Sequence, residues 1–349
     1  MKIAQISPLM EAVPPRLYGG TERIVAYLTD ELVALGHDVT LFASGDSRTT
    51  ARLEPVWPRA MRLDDTIGDY LAPHVIMLEQ VARRAHEFDV IHFHIDYLGY
   101  PLQSRLSTPS ITTLHGRLDL PVLQPLYDLF DDVPVVSISD AQRAPLPQAN
   151  YISTVHHGVP ERSLLPGFGA GKYLAFLGRI SPEKAPDAAI RIARRAGRKI
   201  KIAAKVDKVD LEYFQEHIEP LLSQPHVEFI GEIAEDQKAE FLGDAAALLF
   251  PIAWREPFGL AMIEAMACGT PVIAMRCGSV PEVIDEGLTG FIVGNEEEAA
   301  AAVAKLPRLD RTRIRQRFEE RFTARRMAKD YLKIYGELIG ASRPKLAAV

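Results

Sequence analysis

The sequence holds only two cysteines, Cys268 and Cys277, among 349 residues. Two thiols cannot build a disulfide framework, and a reducing compartment is the plain expectation. A long hydrophobic run is also missing. The longest spans residues 245–254 and contains Pro251, whereas a membrane-spanning helix needs about 20 apolar residues. The first seven residues carry one lysine and a short apolar stretch, which reads as a strand and not as a signal peptide. These absences point to a soluble, cytoplasmic protein. Charge of one sign is scarce as well, with a formal net charge of −6. Residues 1–155 hold 12 Lys/Arg against 19 Asp/Glu, and residues 156–349 hold 28 against 27. An acidic first half argues against nucleic acid as a partner, while the second half suits an anionic ligand. What is present is ordinary for a globular chain with a real core: 47% hydrophobic and 25% charged residues. The length allows two domains at about 150 residues each.

Apolar strand-like runs alternate with helical patterns. In the first half the expected strands are 2–6, 39–43, 90–94, 110–114, 133–137 and 151–155, with an amphipathic helix over 21–35 stopped by Gly36. Residues 44–65 show no period and read as loop. The rhythm breaks over 160–172, where two prolines and three glycines suggest a linker. It restarts with strands 173–177, 200–204, 227–230, 247–250, 271–274 and 291–293, and helices 182–196, 235–242 and 259–267. Alternating units of this size imply a parallel sheet, twice over. Ligands of such sheets bind beyond the carboxyl ends of the strands. Residues 309–338 read as helical throughout. Within them, residues 308–329 carry nine Lys/Arg against three Asp/Glu, a pattern that admits peripheral membrane contact but more plainly marks a solvated face.

Four local patterns carry chemistry. In the string from Glu256 through Phe258, Gly259 and Leu260 to Glu264, the glycine opens a helix whose free N–H groups suit a phosphate. The two carboxylates can grip hydroxyls on either side. Arg179 and Lys184 stand five residues apart at a strand exit and a helix start, where two cations can clamp a diphosphate. Gly19 and Gly20 precede a helix and leave its N–H groups approachable. His115 closes a strand, where a polar side chain points into the ligand crevice.

Taken in order, Gly19-Gly20-Thr21-Glu22, Leu114-His115-Gly116, Ser137-Ile138-Ser139-Asp140, His156-His157-Gly158-Val159, Gly178-Arg179 with Lys184, and Glu256 through Glu264 resemble the family-4 retaining glycosyltransferases of GT-B fold. The likeness covers about residues 1–335. It implies an α/β architecture of two Rossmann-like domains with parallel sheets facing across a cleft. The acceptor-binding domain would be 1–160, with a helix near 325–340 packing back on it, and the donor-binding domain 161–324. The implied enzyme is a metal-independent, anomer-retaining hexosyltransferase with no cofactor. Its donor would be a nucleotide-diphosphate sugar, UDP- or GDP-linked, and its acceptor a sugar, a lipid-linked or a small molecule, as in glycan, polysaccharide or glycolipid biosynthesis. By the same resemblance Arg179 and Lys184 neutralise the diphosphate, Glu264 holds the ribose and Glu256 holds sugar hydroxyls. Backbone at Phe258, Gly259 and Leu260 contacts sugar and phosphate, Gly19 and Gly20 line the phosphate side, and His115 sits by the reacting carbon. Lys205 and Ile230 complete the donor set, and no residue is assigned to a metal. Two positions depart from the family pattern: Ala185 stands where glycine usually follows the lysine, and His157 where asparagine usually precedes Gly158.

Other signals are weaker. His92, His94 and Asp96 share a strand face, as metal ligands would, but Tyr97 occupies the position a fourth ligand would take. Residues 167–172 imitate a phosphate loop, yet Tyr173 replaces the required Ser/Thr. No GxGxxG joins the first strand to its helix, which removes a dehydrogenase. A hydrolysing sugar-nucleotide epimerase on a similar scaffold is the alternative enzyme, and a non-catalytic nucleotide-sugar-binding module the alternative outside catalysis.

Overall fold

A computed structural model describes residues 1–17, 19–62, 64 and 66–342. The chain forms two compact units, one of residues 1–158 joined by the chain from Ala324 onward, the other of residues 159–323.

The first unit is built on seven parallel strands: β1 Lys2–Ile6, β2 Asp38–Ser44, β3 Arg52–Trp57, β4 Val90–Phe93, β5 Ser110–Thr113, β6 Val135–Ser137 and β7 Tyr151–Thr154. Their order is β3-β2-β1-β4-β5-β6-β7. Successive residues on a strand face opposite layers, and here both layers are apolar. Phe42 packs with Met77 and Val81 on one side, while its neighbours Leu41 and Ala43 pack with Val25 and Ala26 on the other. Burial on both faces is what gives the strands continuous hydrophobic runs instead of alternation. Helix α1, Gly20–Ala34, contributes Val25 and buries Ile24, Leu28 and Leu32 at helical spacing. It stops where Gly36 takes φ +86° and His37 N–H bonds back to the Leu32 carbonyl at 3.1 Å. Two elements were not anticipated. Strand β3 lies in the stretch read as loop, because it is a half-exposed edge strand interrupted by Pro55. A helix over Leu71–Arg84 covers the sheet beside it.

The second unit carries six parallel strands: β8 Leu174–Ile180, β9 Ile200–Val206, β10 Val227–Gly231, β11 Ala247–Phe250, β12 Val272–Met275 and β13 Gly290–Val293. They are ordered β10-β9-β8-β11-β12-β13. Leu174, Phe176, Ile202, Leu249 and Ile273 form its core with Ile190, Ala193, Ala299 and Val303. The first strand, β8, lies between β9 and β11, so the chain order reverses there, and open α/β sheets bind ligands at such a point. Helix α2, Pro186–Arg195, begins four residues later than expected from sequence, because Ala185 is left-handed (φ +49°) and Pro186 sets the first turn. Helix α3 is Leu260–Ala267. The stretch 160–172 is no free tether. Gly167, Gly169 and Gly171 N–H groups bond to the carbonyls of Cys268, Gly243 and Asp244 at 3.0, 2.9 and 3.0 Å, which straps the segment to this unit.

The tail is two helices and not one. The first, Arg311–Arg321, belongs to the second unit and ends at the buried Phe322. Helix α4, Ala324–Ser342, belongs to the first. Much of the basic run that admitted membrane contact is engaged inside the fold. Arg311 donates to the carbonyls of Gly167, Gly243 and Ala245. Arg315 donates to those of Leu164 and Ala267. Arg317 and Arg321 share Asp285, and Arg326 donates to the carbonyls of His156 and His157. Among the described residues no helix is long and apolar enough to cross a membrane.

Candidate functional site

Three neighbouring strands of the second unit end beside one another, and their exits carry most of the polar residues singled out in the sequence. Arg179 and Lys205 are the penultimate residues of β8 and β9 and lie opposite each other in the ladder. Two adjacent cations repel, and acids between them compensate. Lys205 pairs with Asp207. The Arg179 guanidinium lies 3.3 Å from Asp210, 4.0 Å from Asp207 and 3.9 Å from Glu183. Burial pushes the Asp210 carboxyl above its ordinary range, and Arg179 opposes that shift.

After β8 the chain turns at once. The N–H groups of Lys184 and Ala185 both reach the Ser181 carbonyl at 3.1 Å. The left-handed Ala185 then redirects the backbone into α2. That conformation costs a residue with a Cβ about 1–2 kcal/mol, which is the physical reason a glycine suits the position. The turn sends Lys184 toward the loop after β11, where its ammonium pairs with Glu256. Trp254 donates its indole N–H to the same carboxylate oxygen at 2.8 Å, and the Lys184 ammonium lies 5.5 Å from the Trp254 ring centroid, within cation–π range. The two loops are also joined through backbone, Ala253 N–H to the Glu183 carbonyl at 2.9 Å.

Glu256 leads into the start of α3. Ser279 braces this passage twice, its N–H to the Glu256 carbonyl at 3.1 Å and its hydroxyl to the Phe258 carbonyl at 2.7 Å. Gly259 caps the helix at φ +82°, and a Cβ there would meet Phe250 Cζ at 2.8 Å. Only glycine fits, so this helix terminus keeps its N–H groups uncovered by a side chain. The Phe258 side chain is buried and packs edge-on against Phe322. Glu264, inside α3 and 3% exposed, accepts from Lys238 at 2.7 Å, and Lys238 also pairs with Glu235 at 3.0 Å. The structure thus joins Lys184 directly to Glu256 and sets Arg179 beside Lys205, while Glu264 has a separate cation. Ile230, half-exposed, sits near the end of β10. Trp254, Lys238, Asp207, Asp210 and Ser279 escaped the sequence reading. Each is tied to the site by folding, with no local pattern to announce it.

In the first unit Gly19 and Gly20 form the entry to α1, and Tyr18, which precedes them, lies outside the described residues. A Cβ on Gly19 would stand 2.8 Å from Pro15 Cβ, so the close approach demands glycine. Glu22, one turn on, is buried, and burial raises its carboxyl to about 7 with the nearby Glu11 adding to the shift. His115 follows β5. Its Nε2 lies 2.9 Å from His94 Nδ1, and its ring stacks on His157 with centroids 5.3 Å apart. Burial lowers its imidazole to about 3 and holds His92, His94 and His157 well below the ordinary range. His92 and His94 are inward-facing and hydrogen-bonded, and among the described residues no group of three His, Cys, Asp or Glu is disposed to hold a metal ion.

Comparison with known proteins bears on both units. Residues 18–159 match the model of Glycosyltransferase Family 4, and residues 167–324 that of Glycosyl transferases group 1. The chain is 25% identical over 349 aligned residues to the D-inositol 3-phosphate glycosyltransferase of Streptomyces avermitilis, covering 81% of this chain and 74% of that one. It is 27% identical over 377 aligned residues to the N-acetyl-alpha-D-glucosaminyl L-malate synthase of Bacillus anthracis, covering 92% and 94%. Among solved structures, AviGT4, a glycosyltransferase involved in avilamycin A biosynthesis, superposes with a TM-score of 0.73 at 25% identity, covering 97% and 98%. HepE of Anabaena, solved with UDP and glucose, superposes with a TM-score of 0.75 at 18% identity, covering 97% and 100%.

Proposed function

The chain belongs to the family-4 glycosyltransferases of GT-B fold, and from that premise we propose that it transfers a sugar from a nucleotide-diphosphate sugar, UDP- or GDP-linked, to an acceptor hydroxyl with retention of anomeric configuration and without a metal ion. The observation that carries this reading is the Lys184–Glu256 pair, set between two strand exits with the uncovered start of α3 directly after it. A pyrophosphate needs cations and N–H donors, and a sugar needs a carboxylate. These residues supply all three.

In this reaction the bond from the anomeric carbon to the diphosphate breaks, and the acceptor oxygen bonds to the same face of that carbon. The acceptor's proton passes to a leaving phosphate oxygen. Negative charge grows on the diphosphate as it leaves. Arg179, Lys184 and the α3 terminus would stabilise it, an effect worth several kcal/mol in a site shielded from water. Glu256 would orient sugar hydroxyls, Glu264 the ribose, and the ends of β9 and β10, with Lys205 and Ile230, the rest of the nucleotide. In the first unit Gly19 and Gly20 would serve the phosphates and His115 the sugar. Neither the family nor these relatives favour the epimerase alternative.

Thermal-shift measurement against UDP-, GDP-, ADP- and dTDP-sugars tests the donor class. A ligand at 100 times its Kd stabilises by about 2.7 kcal/mol, so one nucleotide-sugar should raise the melting temperature well above the others. If none does at millimolar concentration, the reading fails.

A further inference from the structure

Seven side chains of the first unit form one unbroken hydrogen-bonded path from helix α4 to His115. The Tyr331 hydroxyl meets Thr113 Oγ1 at 2.8 Å, Thr113 Oγ1 meets His92 Nε2 at 2.7 Å, and His92 Nδ1 meets the Tyr335 hydroxyl at 2.7 Å. Gln5 Nε2 donates to that hydroxyl at 3.1 Å. On its other side the Gln5 carbonyl faces His94 Nε2 at 2.7 Å, and His94 Nδ1 faces His115 Nε2 at 2.9 Å. The first six members are buried.

The donors and acceptors of such a path are not independent. A neutral imidazole carries one N–H, and an amide carbonyl can only accept. Since the Gln5 carbonyl faces His94, the His94 proton must sit on Nε2. His94 Nδ1 is then an acceptor, so His115 must donate to it from Nε2. That leaves His115 Nδ1 with a bare lone pair. This nitrogen is covered and has no hydrogen-bond partner among the described residues. Burial keeps both rings neutral at pH 7, so the pattern is not scrambled by an added proton.

We propose that Gln5 and His94 are positioning residues: anchored to α4 through Tyr335, they hold His115 in the tautomer protonated on Nε2 and so present Nδ1 as an acceptor for a substrate hydroxyl. The tautomer stands on the network alone; the substrate role rests on the transferase reading above. A helix that follows the whole second unit in sequence thereby sets the polarity of a ring that follows β5.

Long-range ¹H–¹⁵N correlation on the full-length protein at pH 7 reads the tautomer directly. A proton on Nε2 of His115 is expected, and a proton on Nδ1 overturns the proposal. Two variants test the consequence, with melting curves to establish that both fold. In His94→Asn the amide oxygen takes the place of Nδ1 and still accepts, so the wild-type tautomer and a kcat within about threefold are expected. In His94→Leu the restraint is gone, so mixed tautomers and a roughly tenfold or larger fall in kcat at unchanged donor KM are expected. Equal kcat for the two variants overturns the positioning role even with the tautomer as stated. If the wild type transfers no sugar from any nucleotide-sugar it binds, the transferase reading fails and the substrate role with it, while the spectrum still decides the tautomer.

Discussion

Lys184 and Glu256 are an ion pair between the exits of two neighbouring strands, β8 and β11, and the Trp254 indole N–H binds the same carboxylate oxygen. Neither residue is held by its own loop alone. Each turn is fixed by the other, so a change on one side moves the charge on the other.

Removing either charge should therefore damage the reaction and not just weaken binding. Lys184→Ala and Arg179→Ala are expected to lower kcat/KM roughly 10²-fold or more, the scale of lost charge stabilisation in a transition state. Glu256→Ala should fall by a similar factor, whereas Glu256→Gln keeps an acceptor for Trp254 and should lose about tenfold. Steady-state kinetics with a verified acceptor measure this. Wild-type turnover in Glu256→Ala would mean the site is elsewhere.

Ala185 is a non-glycine residue at φ +49°. Ala185→Gly relieves about 1–2 kcal/mol of left-handed strain and gives back about 0.4–1 kcal/mol in chain entropy. The net expectation is a stabilisation between zero and about 1.6 kcal/mol, seen as a higher urea midpoint at unchanged slope. A lower midpoint would show that the turn gains nothing from losing the methyl.

Acid should destabilise the first unit early. His92, His94, His115 and His157 all have folded-state values depressed by burial, His115 to about 3. Unfolded histidine takes up a proton near 6.5, so between that pH and the folded value the unfolded chain binds more protons. Stability is then complete above about pH 7 and falls as the pH drops through 6.5. The limiting slope is about 1.4 kcal/mol per pH unit for each histidine, roughly 5 for the four together. Urea midpoints from pH 7.5 to 5 would reveal it, and a flat profile would contradict the burial of these rings.

Turnover should survive EDTA. Full loss on chelation, restored by Mg²⁺, would refute the proposal that cationic side chains and a helix terminus alone stabilise the departing diphosphate.

The fold was legible where burial on both sheet faces makes strands read as continuous apolar runs. Strand β3 was not, because an edge strand holding Glu54 and Pro55 has neither that run nor an alternation. Helix α2 begins later than its apolar period suggests, since an alanine carries no local sign of the left-handed turn that the family's usual glycine at 185 would announce. Arg179, Lys184, Glu256, Gly259 and Glu264 stood out because each lies in a short string with its own local chemistry. Their partners did not. Glu264 meets Lys238 across 26 positions and Lys184 meets Glu256 across 72, contacts that exist only once the sheet is assembled. His92 and His94 looked like stray metal ligands until Gln5 and Tyr335 arrived beside them, the latter 243 positions from His92.

The break at Phe322–Thr323 has an implication for how this molecule comes off the ribosome. Everything that completes the first unit's buried polar path, Tyr331 and Tyr335 above all, is synthesised after the whole of residues 159–323. At 5–20 residues per second that interval lasts roughly ten to thirty seconds. Throughout it the nascent first unit holds His92 and Thr113 without their tyrosine partners, and the later unit is finished before the earlier one can close.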